Sequence, residues 1–188
     1  MKTLFTIHAG EFLVGSEIER RIPGANVWVP SKDKGIDLLI SDSQNTRFVT
    51  IQVKFSRDFL VTHMEDIYHK GLLACGWWTH KQKNIQESRA DLWIFVLQVF
   101  DPKKAFDPKK TQYIIISPTE LEKRFSKIHG TIERIQSYLW VTEKGKCWEA
   151  RGLSKRDHIL IANNAFENED RNLTRYLNAW NILEEKLK

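Results

Sequence analysis

Two short apolar runs, Gly35-Ile36-Asp37-Leu38-Leu39-Ile40 and Phe48-Val49-Thr50-Ile51-Gln52-Val53-Lys54-Phe55, flank a polar stretch, Ser41 to Thr46, rich in Ser, Asp and Asn. Strand-like runs around such a stretch predict a β-hairpin. Side chains of a strand alternate between its faces. Ile51, Val53 and Phe55 therefore share one side, the core, and Thr50, Gln52 and Lys54 share the other. An amide and an ammonium on one face, opposite a purely apolar face, are unusual for a buried strand. Across the hairpin their neighbour is Asp37, set in an otherwise apolar run. A carboxylate, an amide oxygen and a Lys converging on one sheet surface make a metal site with a water-activating cation beside it.

The periodicity elsewhere predicts more elements. Val14, Ile18 and Ile22 recur every four residues and predict a helix from about His8 to Ile22, ended by Pro23-Gly24. Glu11 lies three residues before Val14 and seven before Ile18, on that apolar stripe. A carboxylate there needs a partner, because an unpaired buried charge is costly. A metal ion, its bound water or the core cation Lys54 would each serve. Asn26 to Pro30 reads as a short strand, and 31–35 as a polar loop leading to Asp37. Beyond Lys54, the spacing of Val61, Met64, Ile67, Tyr68 and Leu72 predicts a helix. Gly71, Gly76 and Trp77-Trp78 then break the pattern, and Thr79 to Arg89 reads as a hydrophilic surface connection. Both tryptophans read as core residues.

Leu92 to Phe100 is the most apolar run and predicts a fully buried central strand. The repeated Asp-Pro-Lys-Lys at 101–104 and 107–110 is a loop by its prolines. Tyr113 to Ile116 reads as a strand. Ser117-Pro118-Thr119-Glu120 is a capping box with Pro at the first helical position, opening a helix with Leu121, Phe125 and Ile128 on its apolar side. Tyr138 to Thr142 is a further strand, and Lys144-Gly145-Lys146 turns the chain into Cys147-Trp148. Arg151, Lys155 and Arg156 form a second basic cluster. Leu173, Tyr176, Leu177, Trp180, Leu183 and Leu187 mark a closing amphipathic helix.

Asp37 followed after a hairpin by Gln52-Val53-Lys54 resembles the motif of the PD-(D/E)XK nucleases in its Gln-x-Lys form, with Ile36 in place of the Pro and Gln52 in place of the acid. The resemblance is specific from about Gly10 to Phe55 and implies a Mg²⁺- or Mn²⁺-dependent DNA endonuclease. It implies that Asp37, the Gln52 amide oxygen and the Val53 carbonyl hold the metal, and that Lys54 serves the attacking water. The same resemblance implies that Glu11, in its Gly-Glu context on the first helix, approaches that metal. Lys32, Lys34 and Arg57 become candidate DNA contacts. With two acidic groups in place of three, weak metal affinity is expected in the absence of DNA.

A chain of 188 residues suits one domain with a real core. The expected fold is a single α/β domain with a mixed central sheet flanked by helices, looking like the restriction-endonuclease core. Its motif-bearing part would span about 8–117 and a C-terminal extension about 118–188. The net charge of +5 is compatible with a polyanionic partner but modest. No run approaches a membrane span, and Met1 to Phe12 lacks the features of a signal peptide. Cys75 and Cys147 lack zinc spacing and read as reduced core residues. A cytoplasmic protein with no membrane partner is expected, and a homodimer if both strands of a duplex are cut. The six histidines show no metal-binding pattern, and glycine-rich phosphate loops and nucleophile elbows are absent. Two other readings remain: a nuclease-fold protein that binds nucleic acid or a partner without cutting, and a buried charge cluster without such a role.

Overall fold

The polar stretch after Ile40 folds into the expected turn because Asp42 organises it. Its carboxylate accepts the Thr46 N–H at 2.7 Å, the Thr46 hydroxyl at 2.6 Å and the Arg47 N–H at 3.2 Å. Asn45 takes a left-handed φ of 57°, which Asn tolerates better than most residues. The turn joins β2 (Leu38–Ser41) to β3 (Phe48–Ser56), antiparallel, with Leu38 opposite Ile51 and Ile40 opposite Val49. The computed structural model describes residues 4–31, 35–56, 71–97 and 111–188.

Around this hairpin stands a five-stranded sheet in the order β1-β2-β3-β5-β6, with β1 at Asn26–Trp28, β5 at Leu92–Leu97 and β6 at Gln112–Ile116. It is mixed: β3 and β5 run parallel, and the other pairs are antiparallel. A parallel pair needs a long crossover. Asp91, at the end of this one, sets β5 beside β3 by accepting both the N–H of Thr50, at 2.8 Å, and its hydroxyl, at 2.7 Å. The crossover carries β4 (Leu72–Lys81), which forms a second, three-stranded sheet with β7 (Arg134–Thr142) and β8 (Cys147–Glu149).

One face of the large sheet packs Leu38, Ile40, Val49, Ile51 and Ile94 against Val14 and Ile18 of α1 (Leu4–Arg21) and Leu183 of α5 (Asn181–Leu187). Trp93, Phe95 and Leu97 point the other way, into a core shared with Trp78, Leu139 and Val141 of the second sheet and with Leu121 and Phe125 of α3 (Pro118–His129). Buried on both faces, β5 is apolar without interruption. The second sheet's outer face is covered in part by Ile161 of α4 (Lys155–Ala162) and by Phe166, over Cys75, Trp140 and Trp148. The result is a single mixed α/β domain, and among the described residues no helix is long and apolar enough to cross a membrane.

Three expectations need correction. Leu72 to Lys81 is a ten-residue strand, not a helix end followed by a surface connection. Gly76 does not break it; it makes room, since a Cβ there would lie 2.3 Å from the Trp78 ring. Trp78 is core, whereas Trp77 is 39% exposed. After β4, a short helix α2 (Gln82–Gln86) buries Gln82, whose amide donates to Ser126 Oγ and accepts from the Ile132 N–H. The closing helix is interrupted: Thr174–Tyr176 is a 3₁₀ turn, Leu177 bridges to Ile114, and Asn178 takes a φ of 51° before α5 begins. The Asn178 side chain accepts the Tyr113 N–H at 3.0 Å, a tertiary bond that helical spacing does not reveal. Most of the helix expected after Lys54, and the Asp-Pro-Lys-Lys loop, lie outside the described residues.

Candidate functional site

β3 outruns β2. Pairing with β2 covers only Phe48 to Ile51, and the strand continues to Ser56. Gly35, at a φ of 84°, turns the chain toward β2, and Asp37 arrives just before that strand begins. Its N–H donates to the Ile51 carbonyl at 2.8 Å, one residue out of step with the ladder that pairs Leu38 with Ile51, so the regular pairing ends there. The Asp37 carboxylate then accepts the Val53 N–H at 2.6 Å. Alternate residues of a strand direct their N–H and C=O groups to the same edge. Val53 therefore turns both groups to the edge that Ile51 uses, where β2 has not yet begun and a carboxylate takes the place of a strand carbonyl. A charged acceptor makes this bond short and strong. The Asp37 carboxylate and the main chain of Val53 thus meet at the open edge of β3, next in the chain to Gln52.

Lys54 shares the Gln52 face and lies above β5. Its Nζ is 4.8 Å from the centroid of the Trp93 ring, a cation–π arrangement. The indole is held by its N–H, which donates to Ser88 Oγ at 2.8 Å. Beneath lies His80 of β4, edge-on to Trp93 at 5.6 Å and to Phe95 at 5.7 Å. Burial, and after it the Lys54 charge, push the His80 imidazole down to about 3, so it is neutral at ordinary pH. Sequence reasoning assigned His80 no place. The signal was the alternation of Ala74, Gly76, Trp78 and His80 on one side of β4, visible only once that segment is read as a strand.

Glu11 is placed differently from the expectation. Gly10, not Glu11, continues the buried row of Val14 and Ile18, because four-residue spacing keeps one line on a helix. A Cβ at Gly10 would lie 2.7 Å from Phe55 Cβ and 3.2 Å from Val53 Cγ1, so α1 meets β3 most closely there. Glu11 is half-buried beside that contact, on the helix covering the sheet face opposite to Gln52 and Lys54. Glu17 is engaged elsewhere. It pairs with Arg20 at 2.7 Å and Arg21 at 2.5 Å, and the Arg20 bond leads in holding its carboxyl below the usual range. Lys32, Lys34 and Arg57 lie outside the described residues.

Among the described residues no three His, Cys, Asp or Glu side chains gather as a metal ligand set. The candidate donors are of another composition: the Asp37 carboxylate, the Gln52 amide oxygen and the Val53 carbonyl. All are hard oxygen donors, the kind Mg²⁺ and Mn²⁺ take, and few enough to leave several waters on the ion. No family model, curated protein or solved structure matches this chain.

Proposed function

We propose that this chain is a metal-dependent endonuclease that hydrolyses phosphodiester bonds in DNA. The observation that carries the reading is the Asp37 carboxylate on the Val53 N–H at 2.6 Å, on the strand that carries Gln52 and Lys54. That bond fixes the carboxylate at the open edge of β3. The order of elements supports the reading as well: a helix, an antiparallel β1-β2-β3 unit, and then β5 parallel to β3.

Asp37, Gln52 and the Val53 carbonyl would hold Mg²⁺ or Mn²⁺, while Glu11, on the helix over the opposite face, is not among the ligands. When bound, the ion supplies a water of lowered pKa and neutralises charge building on the phosphate. Lys54 contributes a fixed positive charge toward the attacking oxygen and the crowded phosphate. Trp93 seats that ammonium, so the charge is in place before substrate arrives. The half-buried setting strengthens these interactions relative to open water. Cutting both strands of a duplex with one such site per chain calls for two chains, so the working form is a homodimer in the cytoplasm.

The second reading, a nuclease fold that binds without cutting, is favoured by the same ammonium over the Trp93 ring, a role that needs no substrate. The two readings separate on end-labelled DNA incubated with Mg²⁺. The nuclease cuts, EDTA stops it, and Asp37→Ala and Lys54→Ala each lose about hundredfold or more. Binding without cleavage in the wild-type protein would leave the second reading.

A further inference from the structure

The second sheet has an outer face that α4 covers only in part. Cys75, Trp140 and Trp148 lie beneath Ile161 and Phe166. Farther along β4 and β7 the cover ends, and Trp77, Thr79 and Lys81 stand on the outer face opposite Tyr138, Gln136 and Arg134. Trp77 is 39% exposed, Thr79, Lys81, Arg134 and Gln136 are exposed, and Tyr138 is half-buried. Arg151 joins them from beyond β8, its guanidinium donating to Gln136 Oε1 at 2.5 Å. The face thus carries an aromatic pair at one end, three cations around the other, and two neutral hydrogen-bonding side chains between them.

Two features set this face apart from an ordinary solvated sheet. Lys81 and Arg134 are cross-strand neighbours. Like charges directly opposite weaken a sheet, so folding does not account for the pair. The acid paired with it among the described residues, Glu133, is 82% exposed and 3.9 Å from Arg134, too loose and too wet to cancel the charge. The other feature is the exposed indole of Trp77; Trp28 on β1 is exposed as well, and the other five tryptophans are buried.

We infer that this face binds a single-stranded nucleic acid. Trp77 takes the face of an unpaired base, Tyr138, half-buried and packed against Trp140, flanks it, and Lys81, Arg134 and Arg151 take the phosphates. An aromatic platform is useful only to bases whose faces are open, which a duplex hides. From Trp77 to Lys81 the strand advances about 13 Å, long enough to follow a strand of nucleotides rather than one phosphate. The Trp77 N–H donates to Ser56 Oγ at 3.2 Å, at the end of β3 and two residues past Lys54, so the face begins alongside the candidate site. The inference stands on the second sheet alone and holds whether or not Asp37 and Lys54 cut the strand.

The test is fluorescence anisotropy with a labelled oligothymidylate and with a duplex of the same length, in EDTA and at several salt concentrations. The wild-type chain is expected to bind the single strand more tightly. Trp77→Ala weakens that binding about tenfold, the scale of one lost base stack. The double variant Lys81→Ala/Arg134→Ala lowers the slope of log affinity against log salt by about 1.4, at about 0.7 per phosphate contact on a single strand. Thr79→Glu, an exposed change in the middle of the face, repels the phosphates and abolishes binding, and it decides the matter if Trp77→Ala does not fold. Single-strand binding left at the wild-type level by both Trp77→Ala and Thr79→Glu would overturn the inference, whatever the affinity of the candidate site for a duplex. So would a salt slope lost in the double variant while Trp77→Ala binds as the wild type does, since that describes a face for acidic partners with no base contact.

Discussion

Replacing Asp37 separates what its carboxylate does for the fold from what it does for chemistry. In the native chain the carboxylate accepts the Val53 N–H at 2.6 Å, where β3 has outrun β2. Asp37→Asn keeps an oxygen acceptor in nearly the same place and removes the charge. A hydrogen bond to a charged group contributes about 1.5–3 kcal/mol and a neutral one about 0.5–1.5 kcal/mol, so the Asn variant should lose about 1 kcal/mol of stability. Asp37→Ala leaves the Val53 N–H without its acceptor at a half-buried position, which costs about 1–3 kcal/mol. Cleavage should not follow this order. Both variants lose the anionic ligand, and both should fall by about hundredfold or more, because a metal's contribution to the transition state is several kcal/mol. Denaturant unfolding gives the first pair of numbers and Mg²⁺-dependent cleavage the second. Hydrogen exchange at the Val53 amide supplies a local check, with protection kept in Asn and lost in Ala. Full cleavage by Asp37→Asn would refute the site. Equal stability of all three proteins would refute the structural half of the argument.

Gln52→Glu should tighten Mg²⁺ binding by the protein alone, since it adds a charge beside Asp37; calorimetric titrations giving equal affinities would mean that Gln52 does not face the metal. His80 predicts a pH dependence of stability. Its folded-state pKa of about 3 lies below the unfolded value, so below about pH 6.5 the unfolded chain takes up a proton that the folded chain refuses. Stability contributed by this residue is then lost at about 1.4 kcal/mol per pH unit as pH falls toward 3, and His80→Phe should flatten the acid limb relative to wild type. Gly10→Ala should lower stability although Ala favours helices, because the new Cβ would sit 2.7 Å from Phe55 Cβ. Overpacking of about 1–3 kcal/mol outweighs a propensity gain of about 1 kcal/mol at most, and a melting temperature equal to or above that of the wild type would contradict it.

The parts of the fold that could be read in the sequence are those fixed by near neighbours. The β2–β3 hairpin announced itself through alternation and through Asp42 and Asn45 in its turn, and with it came the approach of Asp37 to the far half of β3. β5 was legible because burial on both faces leaves an unbroken apolar run. β4 was not, because Gly71 just before it, Gly76 within it and its paired tryptophans resemble breakers until β7, far along the chain, lies beside it. The same holds within the site. The place of Asp37 follows from a local turn, whereas the seat of Lys54 over Trp93 depends on the parallel pairing of β3 with β5, which no periodicity predicts. Glu11 shows the limit of helical phasing: three- and seven-residue spacings from Val14 and Ile18 admit a flank as readily as a centre, and Gly10 has the better line.

The interruption of the C-terminal helix at Asn178 bears on aggregation. β6 is the last strand of the large sheet, and its segment Tyr113-Ile114-Ile115-Ile116 has the composition that zips into intermolecular β-structure. Left open, such an edge would template another chain. Asn178 blocks it: its side chain accepts the Tyr113 N–H, its own N–H donates to the Tyr113 carbonyl at 2.6 Å, and Leu177 bridges to Ile114 alongside. A continuous helix through this region would have forfeited that latch. The left-handed turn at Asn178 therefore acts as a gatekeeper, keeping the stickiest edge of the sheet committed to its own chain.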